Sequence, residues 1–301
     1  MKSKNVFVVG CFRSGTTLLA AILDASKEIS FIRTETRFVG GLLDPGLRNK
    51  MKKAGDLSED NNVRELVDSI YTDTVTRYCY EWLRSNVKKE YFLERLLATD
   101  RSDYAIFKTI LDIHLLMYGD GKSIIGEKTP SHIYHVPTLL RWFNDARIVH
   151  IIRDPRAVLV SQINRRRKNR AKKFVIFPFT YLNFILVFIE VIHTTIAWLY
   201  AASLHSKYKR IYPDNYYLLR YEDLIIKPES SIKQLCDFLD ITFTDEMLNI
   251  KVMNSSFTDQ FFGNEGFNSN AIDRWREYIS PWMNIWIAFF TRKYLKKFSY
   301  L

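Results

Sequence analysis

The residues Gly10-Cys11-Phe12-Arg13-Ser14-Gly15-Thr16-Thr17 come directly after the apolar run Val6-Phe7-Val8-Val9. A strand, a glycine-bearing turn and a helix start make a cradle of backbone N–H groups suited to an anion. The loop has the outline of the GxxxxGK[ST] phosphate loop, except that Thr16 stands where that motif has its lysine and Arg13 supplies a cation three residues earlier. In a loop that handles ATP or GTP, the lysine reaches the β and γ phosphates and the hydroxyl sits on Mg²⁺. The change points to an anion without a γ-phosphate, held without a metal ion. Ser14, Gly15, Thr16 and Thr17 supply N–H and hydroxyl donors, and Arg13 acts through charge alone, because a guanidinium does not give up its proton.

A second group of polar residues stands at other strand ends. Arg153 follows the apolar run 147–152, Ser161 comes eight residues later, about two helical turns on, and Arg165 four residues after that on the same helical face. An arginine fork suits phosphate oxygens. Glu35 lies in Thr34-Glu35-Thr36-Arg37 after a second strand, and Lys128 in Gly126-Glu127-Lys128-Thr129-Pro130 after a third. A carboxylate beside an anion cradle can take a proton from an acceptor, and a cation there can steady a departing oxyanion.

Five strand-like runs, at 6–9, 29–32, 123–125, 147–152 and 216–219, are separated by helix-length segments. That alternation predicts an α/β fold, a three-layer α/β/α arrangement around a central parallel sheet. Leu18, Leu19, Ile22 and Leu23 recur at helical spacing after the first loop, and Asp154-Pro155 reads as a helix cap opening a helix from 155 towards 167. Pro228 opens another, and residues 57–119 read as mainly helical. No Gly/Ser/Pro-rich linker divides the 301 residues, so a single domain is expected. Hydrophobic residues at 47% supply a core and exclude global disorder, and a formal charge of +11 favours an anionic partner. Cys11, Cys79 and Cys236 form no ligand pattern, which predicts a reduced compartment and no structural zinc. The first strand begins at once, leaving no room for a cleavable signal, and a cytoplasmic location is expected.

Four segments in order resemble the PAPS-dependent sulfotransferases, which take a sulfuryl group from 3′-phosphoadenosine-5′-phosphosulfate (PAPS) and release PAP. They are Arg13-Ser14-Gly15-Thr16-Thr17-Leu18, residues 147–156 with Ser161, Leu219-Arg220-Tyr221-Glu222-Asp223-Leu224, and Arg274-Trp275-Arg276. The resemblance implies a P-loop NTPase-like sulfotransferase fold and PAPS as co-substrate, with no metal. It implies that Arg13 to Thr17 hold the 5′-phosphosulfate, that Arg153, Ser161 and Arg165 hold the 3′-phosphate, and that Tyr221 and Arg274 touch the donor. Glu35 matches the catalytic base in the Glu-Thr-Arg segment of tyrosylprotein sulfotransferases, and Lys128 matches a lysine that steadies the transferring group. Aryl and steroid sulfotransferases carry a catalytic histidine two residues after that lysine; Pro130 stands there, which favours Glu35. His132 and His135 read as supporting residues. Ser256 and Asn268 lie in the loop that closes over the donor in relatives. The implied acceptor bears a hydroxyl and is a glycan, lipid, small molecule or tyrosine.

Two other readings compete: a P-loop kinase or NTPase, and a non-catalytic protein that binds anions or membranes. No interleaving of basic and aromatic residues suggests nucleic acid. Arg165-Arg166-Arg167-Lys168 precedes a hydrophobic helical segment at about 174–200, and a second apolar-then-basic run covers 282–297. A true span would separate Arg153 from Tyr221. The remaining readings are a buried core helix and an interfacial helix, with membrane-surface contact through 165–192 and 282–297.

Overall fold

In β1 (Asn5–Gly10) every residue is buried, and its side chains divide between two cores: Phe7 and Val9 enter one, Val6 and Val8 the other. That is the two-residue period of a strand covered on both faces. The computed structural model describes residues 5–32, 34–41, 46–72, 81–171, 180–250 and 267–301. Beside β1 run β2 (Ile29–Phe31), β3 (Ile124–Lys128), β4 (Arg147–Ile152) and β5 (Tyr216–Arg220), all parallel in the order β2-β3-β1-β4-β5. The order reverses beside β1, and in open parallel sheets ligands bind at such a crossing, beyond the carboxyl ends of the strands.

The first face is covered by α1 (Thr16–Asp24), whose Leu18, Leu19, Ile22 and Leu23 are all buried, and by later helices described below. The other face takes a run of helices between β2 and β4: α2 (Gly46–Ala54), α3 (Asp60–Thr72), α4 (Glu81–Asn86), α5 (Lys89–Leu97), α6 (Asp103–Tyr118) and α7 (Val136–Trp142). Phe38, Phe107 and Phe143 join this core, with ring centroids of Phe38 and Phe107 4.6 Å apart. The helical reading of 57–119 therefore holds for its described residues, and these helices cover a face of the sheet.

After β4 comes α8 (Pro155–Ala171), opened by the Asp154 carboxylate accepting the Arg156 N–H at 2.8 Å. It runs four residues beyond the predicted end. α9 (Thr180–Ile211) extends past the predicted end of the hydrophobic segment, whose first residues lie outside the described ones. Then follow β5, α10 (Tyr221–Ile226), α11 (Pro228–Leu239), α12 (Asn270–Asp273) and α13 (Pro281–Lys297). Ile232, Leu235 and Leu239 of α11 enter the core shared with α1.

The helical segment Phe184–Ile211 is long and apolar enough to cross a membrane, with an 18-residue window of mean hydropathy 1.8. Its packing ties it to the sheet. Trp198 is fully buried and donates its indole N–H to the Arg153 carbonyl at 2.8 Å, while Ala197, Ala201, Ala202 and Tyr208 enter the core beside β4 and β5. Glu190, which interrupts the apolar run, is buried with its carboxylate 2.5 Å from Arg166 of α8. Ile196, in contrast, is 56% exposed. Trp198→Ala should cost about 3–5 kcal/mol in urea unfolding, and Ile196→Ala less than about 1 kcal/mol; equal losses would show that α9 is not anchored in this way.

Candidate functional site

The chain leaves β1 through Gly10 and turns over Arg13, which has a left-handed φ of 63°, into Gly15 at φ 98°. A Cβ on Gly15 would lie 2.5 Å from the Tyr221 ring, so a side chain there is excluded by contact as well as by conformation. No side chain caps α1, leaving its first N–H groups aimed out of the loop. The Ser14 hydroxyl is buried and has no hydrogen-bond partner among the described residues. Thr16, in the lysine position of the nucleotide loop, is buried, and Thr17 is half-buried.

Arg13 reaches across to α8, where its Nε donates to the Ser161 hydroxyl at 3.0 Å. Burial lowers its pKa to about 10, helped by the charges of Arg165 and Arg153 and opposed by Glu35. Three guanidinium groups and one carboxylate from four separate segments therefore share one electrostatic field. Arg153 does not pair with Asp154, whose carboxylate is held by Arg156 at 2.6 Å. Arg153 donates instead to the Ala271 carbonyl at 2.8 Å and lies 4.2 Å from the centre of the Tyr221 ring. Its Nε is buried with no hydrogen-bond partner among the described residues. Tyr221 opens α10 directly after the last residue of β5, and that turn places its ring between Gly15 and Arg153.

On the β2–β3 side, Glu35 is held from two directions. Lys128 Nζ donates to one carboxylate oxygen at 3.0 Å and Arg37 Nε to the other at 3.1 Å. Burial favours the neutral acid, but the Lys128 and Arg37 charges and hydrogen bonds prevail and hold the pKa below its ordinary value. The pairing with Arg37 and the part in the arginine field coexist in this geometry.

Sequence reasoning missed the residue that fixes this loop. Glu127 is 1% exposed, and one of its oxygens accepts the Thr36 N–H at 3.2 Å, the Thr36 hydroxyl at 2.9 Å and the Thr129 hydroxyl at 2.5 Å. The other lies 3.0 Å from His132 Nδ1. Burial would raise its pKa, yet His132 and the hydroxyl donors lower it. The Arg37 N–H to the Thr129 hydroxyl and the Ser131 hydroxyl to the Gly40 carbonyl extend the same seam. A carboxylate inside a buried strand run signals such a network, because a buried charge requires partners. His132 supports Glu127, and His135 is lowered to about 4 by burial, with His132 and Arg48 adding to the effect.

Glu222 steadies the turn after β4, accepting the Asp154 N–H at 3.0 Å and the Tyr300 hydroxyl at 2.9 Å. Arg274 is half-buried in the turn next to α12, whose Ala271 carbonyl holds Arg153, and the neighbouring Trp275 packs under Arg156 at 4.4 Å. Asn268 is exposed, and its side chain accepts the Asn270 N–H in its own turn. Ser256 lies outside the described residues. Among the described residues no group of His, Cys, Asp and Glu side chains is placed to hold a metal ion.

Comparison with known proteins agrees with this fold. The chain is 26% identical over 249 residues to protein-tyrosine sulfotransferase A of Caenorhabditis elegans, covering 82% of this chain and 52% of that one. It is 23% identical over 245 residues to the protein-tyrosine sulfotransferase of Drosophila melanogaster, covering 81% and 39%. The chain thus spans about half or less of the length of these relatives. Its fold resembles the sulfotransferase domain from the curacin biosynthetic pathway, with a TM-score of 0.55, 17% identity and 96% coverage of both chains. It also resembles mouse sulfotransferase SULT7A1 complexed with PAP, with a TM-score of 0.50, 14% identity, and coverage of 98% of this chain and 84% of that one. The model of the sulfotransferase family matches residues 5–245, and the chain belongs to the sulfotransferase family.

Proposed function

We propose that the protein transfers the sulfuryl group of PAPS to a hydroxyl-bearing acceptor by in-line displacement. The observation that carries this reading is the Arg13–Ser161 hydrogen bond inside a shared field with Arg153, Arg165 and Glu35. It joins an anion-binding loop to a second cationic site, as a donor with phosphate groups at both ends of an adenosine requires. Bound there, the donor would supply an activated sulfuryl group on a phosphate leaving group. The residues fit it on three counts: the Ser14 hydroxyl and Arg153 Nε are buried without partners among the described residues, the first turn of α1 is uncapped, and Gly15 leaves no room for a Cβ.

In this reading Ser14 to Thr17 and Arg13 hold the phosphosulfate, and Arg153, Ser161 and Arg165 hold the 3′-phosphate, with Tyr221 between them and Arg274 at the edge. Glu35 takes the proton of the acceptor hydroxyl as its oxygen bonds to sulfur. Arg13 and Lys128 steady the charge that gathers on the phosphate oxygen as its bond to sulfur breaks. Lys128 has two roles in sequence. Paired with Glu35 it keeps the base ionised, and drawn to the donor it frees that carboxylate for the acceptor.

PAP should raise the melting temperature of the protein by selective binding to the folded state. Arg153→Ala should weaken PAP about ten- to a hundredfold in calorimetry, the range of hydrogen bonds to charged groups; unchanged affinity would remove Arg153 from the donor site. Glu35→Gln should lower turnover of labelled PAPS about 10²- to 10⁴-fold while leaving the PAP-induced melting shift in place, and turnover at the wild-type rate would remove Glu35 as the base. By carbon-detected NMR, Glu35 should titrate below the ordinary value of about 4.3, and Lys128→Met should raise that midpoint, since burial then loses its main opponent. A midpoint unmoved by Lys128→Met would show that this pair does not set the ionisation of Glu35.

A further inference from the structure

The helices α9 and α13 leave one apolar surface uncovered. Phe184, Ile189, Ile285 and Phe289 are 57%, 53%, 69% and 73% exposed. Rings join the two helices into one patch: Phe188 lies 6.3 Å from Trp282 and 5.8 Å from Trp286, and Trp286 lies 4.6 Å from Phe290. Beneath it, Leu159 and Ile163 of α8, Val191 and Ile287 form a small buried core, so the patch rests on packed structure. A monomer seldom exposes large apolar side chains in one contiguous cluster unless it has something to dock on.

Charge indicates what that partner is. On α13 the positions 285, 289, 292 and 296 recur at helical spacing and are all exposed, so Ile285 and Phe289 share a face with Arg292 and Lys296. From Phe289 to Lys296 the helix rises only about 10 Å. On the other flank, Arg166 and Arg167 stand exposed near the end of α8, and Arg166 is tied to Glu190 one residue beyond Ile189. An apolar, tryptophan-bearing centre bordered by cations matches the layering of hydrocarbon beneath anionic headgroups. A second copy of the chain would set the same cationic borders against each other.

We infer that this surface seats the protein on an anionic lipid bilayer, with the first half of α13 and the first half of α9 dipping into the acyl boundary and the basic flanks at the phosphates. The inference does not depend on donor chemistry. It is consistent with α9 remaining part of the sheet core, because Ile189 lies on the side of α9 turned away from Trp198 and Phe184 lies almost four turns before it. The seat also adjoins the catalytic loop. Phe12 stacks on His193, one turn beyond Ile189, at 5.5 Å, and Arg165 shares the field of Arg13.

Vesicle co-sedimentation tests the inference. The wild-type protein should pellet with phosphatidylcholine vesicles that contain phosphatidylserine, several-fold less with phosphatidylcholine alone, and less as salt is raised. The double variant Ile285→Ser/Phe289→Ser should lose at least about tenfold in vesicle affinity with an unchanged thermal melt by circular dichroism. Should that variant fold poorly, Arg292→Glu/Lys296→Glu, which alters only exposed side chains, should abolish the preference for phosphatidylserine. Failure of the wild type to bind anionic vesicles would overturn the inference, as would equal binding by well-folded variants of both kinds. A concentration-dependent dimer that the apolar variant dissociates, with no vesicle binding, would overturn it too and assign the face to a second copy.

Discussion

Gathering like charges is the constraint on the end of the sheet where its strands finish. Arg13, Arg153 and Arg165 come from a loop, a strand end and a helix, and the fold buries the first and brings the other two close enough to add to burial in lowering its pKa. Each needs an anchor that resists this repulsion. Arg13 has the Ser161 hydroxyl, and Arg153 has the Ala271 carbonyl and the face of Tyr221. The cores on the two faces of the sheet, and the tie from Trp198 to the Arg153 carbonyl, hold those anchors in place. A site that gathers charge in this way is poised to gain stability from a polyanion, and preorganisation of that kind is the main source of electrostatic catalysis.

The carboxylates divide the remaining work by depth. Glu127, deep in β3, is saturated with donors and sets the path of the backbone, while Glu35, nearer the surface, is held among the described residues by flexible cations that can find other partners. Residues 34–41 and 127–131 are far apart in sequence but follow adjacent parallel strands. Their seam therefore depends on the β2–β3 register, in which Phe31 lies opposite Gly126. A one-residue slip would turn Glu127 away from Thr36 and Glu35 away from Lys128.

The sheet and its loop were legible in the sequence because their signals are local. Val6 to Val9 report burial on both faces by composition, and Gly10, Arg13 and Gly15 report the turn by type and spacing. Arg153 with Ser161 was legible because helical geometry relates residues eight apart. What escaped was what depends on distant pairing. Nothing near Glu127 says that Thr36 will donate to it, and nothing near Trp198 says that its partner is the backbone carbonyl just after β4. The turn at Tyr221 carried no local signal, because Arg220 and Tyr221 are continuous in sequence while the chain changes from strand to helix between them. The apolar segment was ambiguous for a physical reason: α9 is both a core helix and an exposed one, on opposite sides of the same cylinder.

The Tyr221 ring touches the space that a Cβ on Gly15 would need on one side and carries the Arg153 guanidinium on the other. One ring therefore forms a wall of both proposed anion sites. If the donor binds as proposed, occupying either site orders the ring and lowers the entropic cost of filling the other. The two ends of a bisphosphorylated ligand would then be read cooperatively, so that removing both end groups weakens binding by less than the summed losses from removing each alone. On that reading, selectivity against nucleotides with a single phosphate cluster follows from a shared aromatic wall, in addition to the count of charges around it.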